Sequence, residues 1–192
     1  MFICGFKKSG KSLLVKLLDG NTKDKVEIID FKDIESVDGK VIYVIRDPRD
    51  LYIKLGVDLK KFILSYLIEL KLVFDYQGLL GSKNCLIVRF EDLVLNTEEV
   101  SKEICKFLGL DSTAFVTDIT LEGKPIITEK DNEFRPEKIR TEEVEELPDT
   151  DENNNKVIEY AFRDIMEFCS YEQKHDLDSC IDAVKGVFYE NN

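Results

Sequence analysis

The sequence has few of the residues on which metal sites, disulfide frameworks and histidine-dependent catalysis rest. Its single histidine, His175, lies in a polar stretch near the C-terminus and predicts a solvated surface side chain. The cysteines are odd in number and form no C-x-x-C pair: Cys4, Cys85, Cys105, Cys169 and Cys180. Zinc ligation and a disulfide framework are therefore poorly supported, and we expect buried or free thiols.

Long apolar runs are also missing. No stretch of about 18 apolar residues occurs, so the sequence predicts no membrane span. Residues 1–5 lead directly into a motif instead of a signal peptide, which makes the cytoplasm the expected location. The 192 residues, 43% hydrophobic and 34% charged, suit one domain. We expect its core within about residues 1–110 and a helical, loop-rich part over about 111–192.

Negative charge is unevenly distributed along the chain. Residues 1–60 contain 12 Lys and Arg against 10 Asp and Glu, whereas residues 121–192 contain 9 against 20. The slightly basic N-terminal part favours a small anionic ligand, and no basic track predicts DNA or RNA binding. The acidic last third indicates a solvated face.

Apolar runs alternate with amphipathic stretches over most of the chain. Strands are predicted at residues 2–4, 25–30, 40–45 and 85–88, and helices at 13–18, 59–80, 157–168 and 177–189. Asn96 and Glu99 resemble a capping box that begins a further helix, which Gly109 ends. Residues 149–155 predict a polar, mobile loop. This alternation predicts a three-layer α/β/α sandwich around a mainly parallel sheet.

A phosphate-binding motif occupies residues 5–12, whose sequence GFKKSGKS fits G-x-x-x-x-G-K-[ST] between a strand and a helix. Glycine lets the backbone turn so that successive N–H groups point inward, and the helix N-terminus adds partial positive charge. Three lysines in five positions, Lys7, Lys8 and Lys11, strengthen the prediction of an anion. The loop alone does not name the ligand. A kinase or ATPase would bind ATP here, with Mg²⁺ held through Ser12 and Asp47.

Three segments together resemble the sulfotransferase superfamily, which uses 3′-phosphoadenosine 5′-phosphosulfate (PAPS). Residues 6–14, FKKSGKSLL, are similar to the family's aromatic-P-K-S-G-T-T-x-L loop. Residues 41–51, VIYVIRDPRDL, resemble its strand followed by R-[ND]-P-x-D. Residues 85–93, CLIVRFEDL, with 104–110, ICKFLGL, resemble its third block. The resemblance covers about residues 2–110.

The resemblance implies a P-loop NTPase-like fold and a set of PAPS-binding residues. Lys8 would contact the phosphosulfate and steady charge on the bridging oxygen, and Arg46 would bind the 3′-phosphate. The 5′ group would be held by Lys7, Ser9, Gly10, Lys11, Ser12 and Leu13. The products would be adenosine 3′,5′-bisphosphate and a sulfated small molecule or glycan, acceptor unknown. No metal is expected, because a sulfuryl group carries less charge than a phosphoryl group.

The sequence departs from the family pattern at several positions. Lys7 and Lys11 replace the loop's proline and first threonine, and Lys54 replaces a serine that helps to bind the 3′-phosphate. An alternative role for Arg46 is an ion pair with Asp47 or Asp50. The C-terminal part lacks a clear R-K-G clamp, for which Arg135 or Lys138 are candidates.

The catalytic base is the least defined part of the prediction. No histidine lies between Lys8 and Arg46, and Asp30, at the end of the second predicted strand, is the best-placed acid. Asp33 and Glu35 follow it. Asp30 would serve as the base if desolvation raised its pKa; the alternative is an ordinary loop aspartate. The short substrate region also leaves open a non-catalytic nucleotide-binding protein, and the sequence does not indicate the oligomeric state.

Overall fold

The computed structural model describes residues 1–19, 25–80, 83–110, 120–121, 124–125 and 151–189. The chain divides into two compact units, one through Met1–Ile45 and Lys71–Glu146 and the other through Arg46–Leu70 and Leu147–Asn192. The strands are β1 (Phe2–Gly5), β2 (Glu27–Ile28), β3 (Val41–Ile45), β4 (Cys85–Arg89), β5 (Thr120–Leu121) and β6 (Lys124–Pro125). The helices are α1 (Lys11–Asp19), α2 (Pro48–Leu55), α3 (Leu59–Leu80), α4 (Phe90–Leu95), α5 (Thr97–Leu108), α6 (Glu152–Ala161), α7 (Arg163–Phe168) and α8 (Leu177–Phe188).

A parallel sheet forms the centre of the first unit, with strand order β2-β1-β3-β4. All five residues of β3 are buried, and their sequence, VIYVI, is what a strand covered on both faces requires. β5 and β6 form a separate antiparallel pair. The parallel sheet with flanking helices confirms the predicted α/β fold class.

One apolar cluster joins the sheet of the first unit to its helices. The side chains of α1 and α5 recur at helical spacing and turn one face of each helix toward the strands. The fully buried members are Ile3, Leu14, Leu18, Ile42, Val44, Leu93 and Ile104.

The second unit has an aromatic core. Tyr66 and Phe162 have ring centroids 5.2 Å apart, and Phe62 lies 5.7 and 5.8 Å from the centroids of those two rings. Tilted pairs at these distances are favourable because the edge of one ring meets the face of another. These contacts hold the first half of α3 against the junction of α6 and α7.

Buried charges also hold the second unit together. Arg49, 3% exposed, donates to both oxygens of Asp47 and, through Nη1, to Glu159 at 2.6 Å. Glu159, 2% exposed, also accepts the backbone N–H groups of Lys174 and His175 and contacts the His175 ring at 3.1 Å. A single carboxylate therefore connects α2, α6 and the segment that precedes α8.

Several sequence predictions are confirmed. The bounds of α3 agree with the prediction, and Gly109 ends α5 in the left-handed conformation, with φ of 77°. All five cysteines are buried, and none of the five is in a disulfide bond. No helix within the described ranges is long and apolar enough to cross a membrane.

Other predictions are wrong. Residues 152–155 begin α6 instead of forming a loop, and the predicted helix 157–168 is broken in two at Phe162. The Asn96 side chain forms no cap hydrogen bond to α5, because α4 ends directly at this residue. His175 is half-buried against Glu159. The clamp role predicted for Arg135 or Lys138 stays a prediction, because both residues lie outside the described ranges.

We expect Glu159→Gln to destabilise the protein by about 3 kcal/mol or more. In either orientation its amide NH2 would face two of the three groups that donate to Glu159, and the lost charge would leave Arg49 undercompensated. Chemical denaturation measures this change. Glu98→Gln is the matched control, because Glu98 forms an exposed pair with Lys102 and should give no measurable change. Equal effects of the two variants would contradict the structural role of Glu159.

Candidate functional site

The loop of residues 6–10 lies at a position that favours ligand binding. β1 lies between β2 and β3, so the chain passes from β1 to β2 on one side of it and then crosses to β3 on the other side. Open α/β sheets bind ligands at the carboxyl ends of the strands where the order reverses in this way. Gly5, the last residue of β1, pairs with Val44 near the carboxyl end of β3.

The loop backbone adopts a tight turn. The Ser9 N–H donates to the Phe6 carbonyl at 3.1 Å, and Lys8, at the third position of this turn, has φ of 68°. A positive φ at this position is typical of a type II turn, which favours proline at the second position. That second position is Lys7, where the sulfotransferase loop that this segment resembles has proline. Lys8 therefore keeps a strained backbone at the tip of the loop.

Both loop glycines are required by close approaches as well as by φ. At Gly5, φ of 152°, a Cβ atom would lie 2.6 Å from the Val44 carbonyl oxygen and from Ser9 Oγ. At Gly10, φ of 100°, it would lie 2.7 Å from Cε2 of Phe90 and closer still to Cδ2. No side chain fits at either position without displacing a neighbour.

The polar side chains of the loop differ in their surroundings. Lys7, Lys8 and Ser12 are exposed, whereas Leu13 is half-buried. The Lys11 ammonium donates to the carbonyl of Gly5, so it connects the start of α1 to the end of β1. Ser9 Oγ is buried and has no hydrogen-bond partner within the described residues. Such an orphaned hydroxyl costs about 1–3 kcal/mol unless a ligand satisfies it.

Asp30 lies at the same edge of the sheet as the loop. β2 pairs with β1 through Ile28 and Ile3, and Asp30 follows two residues beyond Ile28. Its exposed carboxylate accepts the Lys32 N–H at 3.1 Å and caps the 3-10 helix Phe31–Ser36. Asp33 and Glu35 are exposed on that helix. The carboxylate of Asp30 is thus accessible at the edge where the loop lies.

Arg46 and Lys54 belong to the second unit, where both contact Asp50. Arg46 pairs with Asp50 through Nε, and Lys54 Nζ lies 3.8 Å from the other Asp50 oxygen. The three residues are spaced four apart along α2 and its entry. Burial raises the pKa of the Asp50 carboxyl, and the charges of Arg46 and Lys54 act in the opposite direction. The ion pair considered from the sequence for Arg46 is therefore present.

Asp47, the magnesium ligand of the ATP alternative, is hydrogen-bonded to Arg49. Its oxygens accept from Arg49 Nε at 3.1 Å and Nη2 at 2.7 Å, and from the Arg49 backbone N–H at 2.8 Å. A magnesium ion at Asp47 would have to displace these bonds. Within the described ranges, no three His, Cys, Asp or Glu residues form a group that could hold a metal ion.

Phe90 contacts the loop at Gly10, and the sequence alone did not assign it to the site. It lies within the RFEDL segment of the third block, but its place beside Gly10 depends on how β4 and the loop meet. An aromatic residue directly after a buried strand could have been recognised from the sequence. Its contact with Gly10, 80 positions earlier, could not.

Comparison with known proteins supports a likeness to sulfotransferases. No family model matches the chain. A 3-alpha-hydroxysteroid sulfotransferase from Cavia porcellus is 29% identical over 122 residues, which cover 54% of this chain and 42% of that protein. The match thus spans less than half of the relative's length. The chain is similar to a sulfotransferase over about half of its own length.

We expect Lys8→Gly and Lys7→Gly to differ in stability, although each removes one lysine from the same loop. Glycine raises the backbone entropy of the unfolded chain at both positions. Of the two lysines, only Lys8 has positive φ, so only there does glycine also relieve strain in the folded state. Lys8→Gly should be more stable than Lys7→Gly by about 1–2 kcal/mol in chemical denaturation. Equal stabilities would show that Lys8 is not strained.

Proposed function

We propose that the protein is a sulfotransferase that transfers a sulfuryl group from PAPS to a hydroxyl or amine of a small molecule or glycan. The observation that carries this proposal is the loop after β1, with an orphaned, buried Ser9 hydroxyl and an exposed Lys8 at its tip. The likeness to a sulfotransferase supports the same reaction class.

The loop residues fit the 5′-phosphosulfate. Ser9 Oγ has no partner in the described part of the chain, and a sulfate or phosphate oxygen would provide one. Because α1 begins directly after Gly10, its first N–H groups would face the same ligand. Lys8 contributes a full positive charge. Lys7, Ser12 and Leu13 complete the proposed 5′ contacts, with Lys11 behind them.

Arg46 and Lys54 are the residues that we propose for the 3′-phosphate. Asp50 keeps these two cations on one side of α2. A phosphate competes for the same guanidinium with bidentate geometry, whereas lysine acts as a point charge. Arg46 is 5% exposed, so its charge is costly to bury. The Asp50 carboxylate lowers this free-energy cost before the nucleotide binds.

The proposed chemistry needs few protein groups. Bound PAPS supplies a sulfuryl group attached through an oxygen that bridges it to phosphate. The acceptor oxygen or nitrogen bonds to sulfur as the bond to the bridging oxygen breaks, and positioning and electrostatics govern the rate. Lys8 stabilises negative charge on the bridging oxygen. Asp30, which is exposed before the acceptor binds, takes the acceptor's proton once the bound acceptor has displaced water from its carboxylate.

Two contacts favour this proposal over a Mg²⁺-dependent kinase or ATPase. The carboxylate of Asp47 is bound to Arg49, and the ammonium of Lys11 is bound to the Gly5 carbonyl. Both side chains belong, with Ser12, to the set on which the ATP alternative depends, and ATP binding would require both to exchange partners. ATP nevertheless belongs in the binding test.

A thermal-shift experiment tests the nucleotide. We expect PAPS and adenosine 3′,5′-bisphosphate to raise the melting temperature without Mg²⁺, since a ligand at 100 times its Kd stabilises by about 2.7 kcal/mol. ATP should have little effect with or without Mg²⁺. Stabilisation by ATP with Mg²⁺ and none by the bisphosphate would instead establish the kinase or ATPase alternative. Bisphosphate binding without transfer to any acceptor would establish a non-catalytic nucleotide-binding protein.

Asp30→Asn tests the base. With a phenol, a hydroxysteroid and a primary amine as trial acceptors, we expect kcat to fall by about 10²-fold or more, with the bisphosphate Kd unchanged. Asp33→Asn is the control, because Asp33 is also exposed but lies in the 3-10 helix, and its kcat should not change. If Asp30→Asn keeps the wild-type rate, Asp30 is not the base.

A further inference from the structure

Phe90 lies directly behind the loop. It is the first residue of α4, follows β4 without a break and is 9% exposed. The edge of its ring is so close to the Cα of Gly10 that a Cβ there would lie 2.7 Å from Cε2. The ring therefore packs on backbone, at the one loop position that has no side chain to separate them.

Gly10 is the residue at which the loop becomes a helix. Its carbonyl accepts the N–H groups of Leu13 at 2.9 Å and Leu14 at 3.3 Å, and these are the first hydrogen bonds of α1. The N–H groups just before them have no partner within the helix and are the groups that an anion binds. The Phe90 ring thus supports the turn from which these N–H groups point.

The opposite end of the loop has its own support. Lys11 donates to the Gly5 carbonyl, which keeps the end of β1 near the start of α1. With Phe90 behind Gly10 and Lys11 bound to Gly5, both ends of residues 6–9 are fixed before any ligand arrives. Fixed donors bind more tightly than donors that must first be ordered.

We infer that Phe90 is a positioning residue for the 5′-phosphosulfate of the nucleotide, acting through Gly10; this inference rests on the proposed function of the loop. A ring that only filled the core would contribute to stability and leave ligand selectivity unchanged. A positioning ring contributes specifically to the group that the loop binds. The 5′-phosphate is that group, whereas the 3′-phosphate is assigned to Arg46 and Lys54.

The binding test uses Phe90→Val, which removes the δ and ε ring atoms that contact Gly10. Calorimetry with adenosine 3′,5′-bisphosphate and with adenosine 3′-monophosphate measures whether the 5′-phosphate is the group affected. We expect the Kd of the bisphosphate to rise at least tenfold and that of the monophosphate to change less than twofold. Phe90→Tyr, which keeps the ring, should retain the wild-type Kd for both.

Leu93→Ala is the matched control, because Leu93 is fully buried in α4 and in the same apolar cluster but is not among the atoms nearest Gly10. It should lower stability and leave both Kd values unchanged. Equal weakening of both ligands by Phe90→Val, or no weakening, overturns the inference and leaves the proposed function intact. A wild-type protein that does not bind the bisphosphate overturns both.

A second measurement does not depend on ligand. Gly10→Ala adds a methyl group against the ring, so it should lower the folding equilibrium constant at least tenfold more in the wild type than in the Phe90→Val background. The left-handed φ of Gly10 costs the same in both backgrounds and cancels in this double-mutant cycle. Additive effects of the two substitutions would show that the ring does not hold Gly10.

Discussion

The chain reversal between β1 and α1 is the constraint on which the rest of the first unit depends. Three residues within six positions, Gly5, Lys8 and Gly10, have positive φ, and two of them meet neighbouring atoms so closely that only glycine fits. This reversal brings α1 back onto the sheet, so that its apolar face joins the cluster around β3. It also places the buried Ser9 hydroxyl, which has no hydrogen-bond partner within the described residues, just before the N-terminus of α1. Packing of the core and the geometry of the proposed anion site are consequences of one backbone path.

Burial of charge has a comparable role in the second unit. Four charged residues, two on each side of Pro48, would ordinarily indicate a solvated loop but are all less than 7% exposed. They tolerate burial because each has a partner of opposite sign: Arg46 with Asp50, and Arg49 with Asp47 and Glu159. A buried ion pair adds little to stability over apolar side chains but is costly to break. Such a network defines one arrangement of α2 and α6 and holds Arg46 in it.

The accuracy of prediction from sequence followed the range of the interactions that determine each element. β3 and α3 could be predicted because an apolar run and a helical period are local signals. The motif of residues 5–12 was recognisable because the positive φ of its glycines is a local requirement. By contrast, α2 was missed although Asp47 and Pro48 form a normal helix start, since its charges looked exposed without knowledge of Glu159, 110 positions away. The contact of Phe90 with Gly10 was unpredictable for the same reason.

The positions of the lysines in the loop distinguish a nucleoside triphosphate site from the proposed phosphosulfate site. In a nucleoside triphosphate site, the lysine before the last serine is the central cation, and on sequence alone Lys11 fits that role. Here its ammonium is bound to the Gly5 carbonyl, and Lys8 instead presents its charge at the exposed tip. Lys8 has φ of 68° although glycine or asparagine would suit that conformation better. Backbone strain at the tip of a loop is costly for folding and is typical of functional sites. Under the proposed function, Lys8 would supply the cation that the phosphosulfate of PAPS needs.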